Sequence, residues 1–220
     1  MTATFDPTQN GPNPDRAALV RVGELVRQRL GSDPSVYRIP TEKADIFAIR
    51  DFLSGDECDQ MMALIDKVAK PSALYSNAYG SEFRTSYSGD VDRNDPFVRM
   101  VERRLDDLLG LDPTWGETVQ GQRYLQGQQF KAHFDWFWTL ADYWKGEKDR
   151  GGQRSWTAMV YLNDVEDGGD TDFSALCLSI PPQRGVLLIW NNASPDGEVN
   201  RDTIHAGTPV VKGAKYVITK

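Results

Sequence analysis

The sequence predicts an α+β domain whose C-terminal half is a β-sandwich or jelly roll. In its first half, apolar residues recur at helical spacing in three stretches. Beyond residue 117 the periodicity shortens, and strand-like segments alternate with clusters of Gly, Pro, Asn or Asp. Helices followed by many short strands are typical of an α+β domain. With 220 residues, 40% of them hydrophobic, the chain is large enough to bury a substantial core.

Composition divides the chain into three parts. Residues 1–14 are rich in Pro, Asn, Thr and Gly and predict a disordered leader. Residues 15–43 predict a helix, closed by Gly31, and a turn-rich linker. Residues 44–220 predict the main domain.

The main domain is expected to begin with a short strand at 45–49. A helix capped by Ser54 follows, and a second helix spans roughly 96–110. The polar loop between them, residues 76–95, is a candidate lid. Six later segments read as strands: TVQGQRYLQ, RSWTAMVYL, ALCLSI, GVLLIW, TIHAG and KYVIT.

Charge and composition argue against several partners. Lys and Arg number 25 against 32 Asp and Glu, a net charge of −7, which disfavours binding to nucleic acid. No apolar run approaches the ~18 residues of a membrane-spanning helix. The N-terminus does not resemble a signal peptide and there are only two cysteines, so we expect a cytoplasmic location.

Histidine is scarce, and this focuses the search for a site. His133 and His205 are the only two histidines, and Asp135 follows the first in an H-x-D tripeptide. Residues i and i+2 of a strand share a face, so His133 and Asp135 would converge there. Two imidazoles and one carboxylate are the facial triad of non-haem Fe(II) oxygenases. Two alternatives remain open: a divalent-metal hydrolase or isomerase, and a non-enzymatic binding module whose histidines are structural.

Three further residues fit an anionic co-substrate. Lys215 lies in a strand-like segment, and a lysine buried in a β core is costly unless it meets an anion. Tyr124 and Thr157 offer hydroxyl donors to the same carboxylate. A solvated lysine near the C-terminus is the alternative for Lys215.

From about residue 45 to its end, the chain resembles the prolyl 4-hydroxylase type of 2-oxoglutarate- and Fe(II)-dependent dioxygenases. The blocks that carry the likeness are ETVQGQRYLQGQQFKAHFD, GGQR, YLNDVEDGGDT, SPDG and HAGTPVVKGAKY, with DFLS and RTS earlier. The resemblance implies a double-stranded β-helix core with the N-terminal helices packed on one side. It also implies Fe(II) bound by His133, Asp135 and His205, and 2-oxoglutarate held by Lys215 with help from Tyr124 and Thr157.

The implied reaction is hydroxylation of a C–H bond with O2, in which 2-oxoglutarate is decarboxylated to succinate and ascorbate serves as reductant. We expect the substrate to be a prolyl residue in a peptide or protein, contacted by Arg84, Trp136 and Arg154. Trp136 stands where the family usually has tyrosine. A free amino acid or another small molecule is the alternative substrate.

Overall fold

Three of the helices in the computed structural model are those that the sequence predicts. The structure describes residues 11–73 and 82–220. Its α-helices are α1 (Arg16–Ser32), α2 (Gly55–Val68), α3 (Pro96–Leu109) and the short α4 (Trp144–Glu147). Among these described helices, none combines the length and hydropathy that a bilayer-spanning segment needs.

Local chemistry fixes where two of the helices begin and end. Ser54 caps α2 by accepting from the backbone N–H of Glu57, whose carboxylate in turn accepts from the N–H of Ser54. Asp95 caps α3 through the N–H of Phe97, and Pro at the first helical position needs no hydrogen-bond partner there. Gly110 then ends α3 in a left-handed conformation, with φ of 68°.

Fourteen antiparallel strands build the rest of the described chain. They form an eight-stranded sheet in the order β1-β2-β11-β7-β14-β5-β4-β3, a four-stranded sheet in the order β10-β9-β12-β6, and a β13-β8 pair. Their bounds are β1 (Val36–Arg38), β2 (Ile46–Ile49), β3 (Lys70–Pro71), β4 (Tyr87–Asp90), β5 (Gln120–Tyr124), β6 (Phe130–His133), β7 (Trp156–Tyr161), β8 (Asp167–Gly168), β9 (Thr171–Phe173), β10 (Leu178–Ile180), β11 (Leu187–Asn191), β12 (His205–Gly207), β13 (Val210–Lys212) and β14 (Lys215–Thr219).

The central strands of the large sheet divide their side chains between two cores. Alternate residues of a strand face opposite sides. One set packs with the buried faces of α1, α2 and α3, and it includes Val160, Ile189 and Ile218. The other set packs with residues of the smaller sheet, among them Phe173, and it includes Met159, Leu188 and Val217. The predicted jelly roll with helices on one side is therefore confirmed.

Three sequence expectations need correction. The predicted linker contains β1, which pairs with β2. The second half of the predicted lid contains β4, which pairs with both β3 and β5, whereas residues 74–81 lie outside the described residues. Partner strands thus override a Gly- and Ser-rich composition that reads as loop. Within the predicted leader, Asn13 is buried and its amide donates to the carbonyl oxygen of Gly197.

We expect Gly121→Ala to destabilise the fold, because β5 lies directly against α2 at this glycine. An added Cβ would overlap Cγ1 of Ile65 and lie 3.0 Å from its Cδ1. Such overpacking costs about 1–3 kcal/mol of the free energy of unfolding, which urea denaturation measures. Gly31→Ala in α1 is the control, since a Cβ there meets no atom within 4 Å. Combining Gly121→Ala with Ile65→Ala should cost less than the sum of the two, and full additivity would contradict the overlap.

Candidate active site

The two histidines face each other across neighbouring strands. His133 on β6 pairs directly with His205 on β12, and their ring centroids lie 4.3 Å apart. Asp135 completes the group: Oδ1 lies 3.5 Å from Nε2 of His133, and Oδ2 lies 3.6 Å from Nε2 of His205. One correction concerns Asp135, which lies in a bend just after β6 ends at His133 and not on the strand itself. The structure nevertheless brings the three predicted residues together, and we call them the triad.

Backbone carbonyl groups orient both imidazoles. Nδ1 of His133 lies 2.8 Å from the carbonyl oxygen of Lys131, and Nδ1 of His205 lies 2.9 Å from that of Thr203. A carbonyl oxygen only accepts hydrogen bonds, so each Nδ1 carries the proton and donates it. Nε2 of each ring therefore offers its lone pair towards Asp135, which is the arrangement of a metal-binding histidine.

The protonation states of His205 and Asp135 suit a cation. Burial, together with the charge of His133, lowers the pKa of His205 to about 4, despite the opposing effect of Asp135. Burial alone would raise the pKa of Asp135, but the imidazoles of His205 and His133 lower it overall. At neutral pH the site thus presents a neutral buried imidazole beside a carboxylate, which are the forms that bind metal ions.

Lys215, the first residue of β14, is buried and lines the same cavity. It is 3% exposed, and burial lowers its pKa to about 8, which the charge of Asp170 offsets only in part. Its cross-strand partner is Tyr124, whose ring centroid lies 5.6 Å from Nζ, and the ring centroid of Tyr161 lies 5.4 Å from Nζ. Aromatic faces favour the ammonium form but supply no countercharge. The prediction that Lys215 is buried is confirmed.

Thr157 lies elsewhere than expected. In the β7–β14 register Tyr161 pairs with Val217. Thr157 lies four residues before Tyr161 on β7, which places it about 13 Å further from Lys215 along the strand. Its hydroxyl donates to Oδ2 of Asp135 at 2.9 Å. The expectation that Thr157 assists Lys215 is thus corrected: Thr157 hydrogen-bonds to the triad carboxylate.

Sequence reasoning missed Thr171, whose side chain shares the face of the smaller sheet that is turned towards Lys215. Gly207 pairs with Thr171 across β12 and β9, and a Cβ added at Gly207 would lie 4.0 Å from Nζ of Lys215. The hydroxyl of Tyr161 donates to Oγ1 of Thr171 at 2.7 Å. Both residues lie in the YLNDVEDGGDT block, but only the register shows that the side chain of Thr171 shares the face on which a Cβ at Gly207 would approach Lys215. Lys215, Tyr124, Tyr161 and Thr171 form what we call the lysine pocket.

Arg84 reaches the triad through an aromatic ring. Its guanidinium lies 4.7 Å from the ring centroid of Phe130, and that ring stacks on His133 with centroids 3.6 Å apart. Nη2 of Arg84 also donates to Oε1 of Gln120 at 2.9 Å. Arg84 thus lines the cavity beside the triad, where the sequence predicted a substrate contact.

Arg154 and Trp136, the other predicted substrate contacts, are both engaged within the protein. Arg154 forms a two-pronged ion pair with Glu117, with distances of 2.6 and 2.8 Å, and its guanidinium lies over the ring of Phe137. Trp136 is 3% exposed and packs with Leu19 of α1. Trp136 is thus part of the core and also lines the cavity, and its contact with the substrate stays a prediction.

Gln153 holds the loop that follows Asp135. Its side-chain amide accepts from the backbone N–H of Phe137 and donates to the carbonyl oxygen of the same residue, both at 2.7 Å. Its own backbone N–H donates to Oδ2 of Asp15, just before α1. The N-terminal helix is thus tied to the loop beside the triad, a link that no sequence pattern revealed.

Comparison with known proteins identifies the family. Residues 119–220 match the model of the 2OG-Fe(II) oxygenase superfamily. Over 203 residues the chain is 32% identical to the probable prolyl 4-hydroxylase 8 of Arabidopsis thaliana, covering 79% of this chain and 67% of the relative. Over 214 residues it is 30% identical to the probable prolyl 4-hydroxylase 4 of the same plant, covering 86% and 70%. The chain belongs to the prolyl 4-hydroxylase-type 2-oxoglutarate- and Fe(II)-dependent oxygenases.

A solved structure agrees with this assignment. The viral collagen prolyl hydroxylase of Paramecium bursaria Chlorella virus-1, in its 2OG complex, matches this oxygenase with a TM-score of 0.61 and 26% identity. The match covers 79% of this chain and 93% of the viral one. The predicted double-stranded β-helix core is thereby confirmed. The chain spans about two thirds of the length of its first plant relatives.

The residues present fit both groups that the family uses. Two imidazoles with free Nε2 lone pairs and one carboxylate form the donor set that suits Fe(II). The lysine pocket offers a buried ammonium at Lys215 and a buried hydroxyl at Thr171, two donors that suit the far carboxylate of 2-oxoglutarate. The triad lines one cavity together with Lys215, Tyr124 and Thr171 of the lysine pocket.

Proposed function

We propose that this oxygenase hydroxylates a prolyl residue in a peptide or protein, using Fe(II), 2-oxoglutarate and O2. The observation that carries the proposal is the triad itself: three donors converge at a cavity that a buried lysine also lines. The curated relatives that match the chain are prolyl 4-hydroxylases, and this supports proline as the target. Ascorbate as reductant and a cytoplasmic location belong to the same proposal.

Each part of the site has a separate task. His133, Asp135 and His205 would hold the iron, and the carbonyl oxygens of Lys131 and Thr203 keep both imidazoles in the binding tautomer. Lys215 and Thr171 would hold the far carboxylate of 2-oxoglutarate. When bound, Fe(II) would supply, together with 2-oxoglutarate and O2, the oxidising power for hydroxylation, with succinate and carbon dioxide as the products of 2-oxoglutarate. The protein contributes placement and a protected cavity.

Arg84 and Arg154 are the substrate contacts in this proposal. Both guanidinium groups line the cavity and are held by neighbouring side chains, Gln120 for Arg84 and Glu117 for Arg154. Guanidinium groups fixed in this way could donate to peptide carbonyl oxygens without losing much conformational entropy. This arrangement favours a peptide over a small molecule, which would need fewer contacts.

Peptides that contain proline are expected to stimulate 2-oxoglutarate turnover, and free proline is not. The measurement is succinate formation under air, with mass spectrometry of the peptide for one added oxygen atom. The same peptides with alanine in place of proline are the control for non-productive turnover. Stimulation by free proline or another free amino acid alone would contradict the peptide substrate and leave a small-molecule hydroxylase.

A further inference from the structure

A buried asparagine lies behind the triad carboxylate. Asn192 directly follows β11 and is 2% exposed. Its Nδ2 donates to Oγ1 of Thr157 at 2.9 Å, and that hydroxyl donates to Oδ2 of Asp135 at 2.9 Å. Three polar side chains from separate parts of the chain thus form one line of hydrogen bonds that ends on the triad.

The direction of this line is fixed by its end. An ionised carboxylate only accepts, so the single hydroxyl proton of Thr157 must point to Asp135. The oxygen of Thr157 is then free to accept, and it needs a donor on its other side. Asn192 supplies that donor only with its NH2 group turned to Thr157. The opposite amide orientation would draw the hydroxyl proton away from Asp135.

The chain keeps this amide orientation although it leaves a buried atom without a partner. Among the described residues, Oδ1 of Asn192 has no hydrogen-bond partner. An unpaired buried acceptor is unfavourable, so the packing of the core alone gives no reason for an asparagine here. The backbone holds Asn192 firmly: its N–H donates to Ser155, and its carbonyl oxygen accepts from the N–H of Asn200.

We propose that Asn192 is a positioning residue that acts through Thr157 to fix the orientation of the Asp135 carboxylate for metal binding. Asp135 lies in a bend beyond the end of β6, so no strand pairing fixes its side chain. The two hydrogen bonds, from Asn192 to Thr157 and from Thr157 to Asp135, supply that restraint. This inference rests on the proposed metal site and adds to it a residue outside the triad.

The test measures metal affinity without turnover. Co(II) is added to the metal-free protein, and its visible absorption is followed in competition with a chelator, since Co(II) accepts the same ligands as Fe(II). Asn192→Ala should weaken Co(II) binding by about tenfold and alter the absorption band, as loss of an outer hydrogen bond to a metal ligand does. Thr157→Val should do the same, whereas Thr157→Ser, which keeps the hydroxyl, should bind Co(II) as the wild type does.

Asn191→Ala is the matched control. Asn191 is the same residue type with the same 2% exposure, one position earlier. Its side chain accepts from the backbone N–H of Ala193 and is not part of the line of hydrogen bonds to Asp135. We expect this variant to unfold at a lower temperature and to keep the wild-type Co(II) affinity and spectrum. If both alanine variants weaken Co(II) binding equally, Asn192 acts through general stability and the inference is wrong.

The double variant Asn192→Ala/Thr157→Val separates a line of bonds from two independent effects. Because Asn192 acts through Thr157, the double variant should bind Co(II) as Thr157→Val alone does, and additive losses would contradict the proposal. If Asn192→Ala does not fold, Asn192→Leu, which refills the space but cannot donate, takes its place in the same series. Wild-type Co(II) affinity in Asn192→Ala or Asn192→Leu overturns the inference, whereas failure of the wild type to bind Co(II) overturns the metal site itself.

Discussion

Replacing Asp135 with alanine is expected to abolish oxygen-dependent turnover of 2-oxoglutarate while the protein stays folded. The change removes the only carboxylate of the triad and leaves two imidazoles for a dication. Changes in the outer hydrogen bonds of a metal site already cost about 10- to 100-fold in affinity, and we expect loss of a ligand to cost more. Succinate formation and Co(II) binding measure the two effects. His133→Ala and His205→Ala should behave in the same way.

Asp172→Ala is the control for Asp135→Ala. Asp172 is an acidic residue on β9, paired with Ala206 next to His205, but it does not line the cavity. This variant should keep wild-type turnover and metal content. Thermal unfolding followed by circular dichroism shows whether each variant is folded. Wild-type activity and metal content in any one of the three triad variants would show that the triad is assigned wrongly.

Lys215→Ala is expected to raise the dissociation constant of 2-oxoglutarate steeply. Removing one partner of a desolvated charge pair typically costs about 2–5 kcal/mol, which corresponds to roughly 30- to 4000-fold in affinity. Lys215→Arg should not restore binding, because a planar guanidinium needs room that the rings of Tyr124 and Tyr161 occupy. Calorimetry on the metal-loaded protein under nitrogen measures the affinity.

The same lysine should make 2-oxoglutarate binding depend on pH. Burial lowers the pKa of Lys215 to about 8 in the free protein, and a bound carboxylate would raise it again. Affinity should therefore be constant below pH 8 and fall by up to tenfold per pH unit above it. The stability of the free protein should change in the opposite direction. Because the unfolded chain keeps the lysine proton to higher pH, stability rises from pH 8 towards the ordinary lysine pKa near 10.5.

Lys212→Ala is the matched control for Lys215→Ala. Lys212 lies three residues earlier on β13, is 70% exposed and pairs with Glu166 at the surface. This variant should bind 2-oxoglutarate as the wild type does, with the same dependence on pH. Unchanged affinity in Lys215→Ala would contradict a role for the lysine pocket in binding 2-oxoglutarate.

The sequence was sufficient to find the triad because histidine is so scarce. With only His133 and His205 available, any site that needs two imidazoles had to use both, and the H-x-D spacing supplied the carboxylate. Periodicity likewise located α1, α2 and α3 and the central strands of the large sheet. For β7 and β11 the pattern is a continuous apolar run, because both faces of these strands are buried. These features depend on local pattern, which a single sequence contains.

Features that depend on pairing between distant segments could not be predicted in the same way. Thr157 and Thr171 both lie close to Tyr161 in the sequence. Only the strand register shows that Thr171, and not Thr157, faces the side of the cavity where Lys215 lies. The sequence does not show that Trp136 is buried, because its burial depends on packing with Leu19 of α1. Asn192 carries no signal at all, because its role depends on a hydroxyl 35 residues earlier in the chain.

The cross-strand pair His133–His205 has a consequence for how long the protein keeps its metal. β6 is the edge strand of the four-stranded sheet and pairs with β12 on one side. On its other side there are only two backbone hydrogen bonds among the described residues, donated by the N–H groups of Thr85 and Lys131. Strands in such positions open locally far more often than the whole domain unfolds. A metal ion bound by both histidines would connect β6 to β12. Fraying of β6 would then promote dissociation of the ion, and loss of the ion would in turn promote fraying of β6.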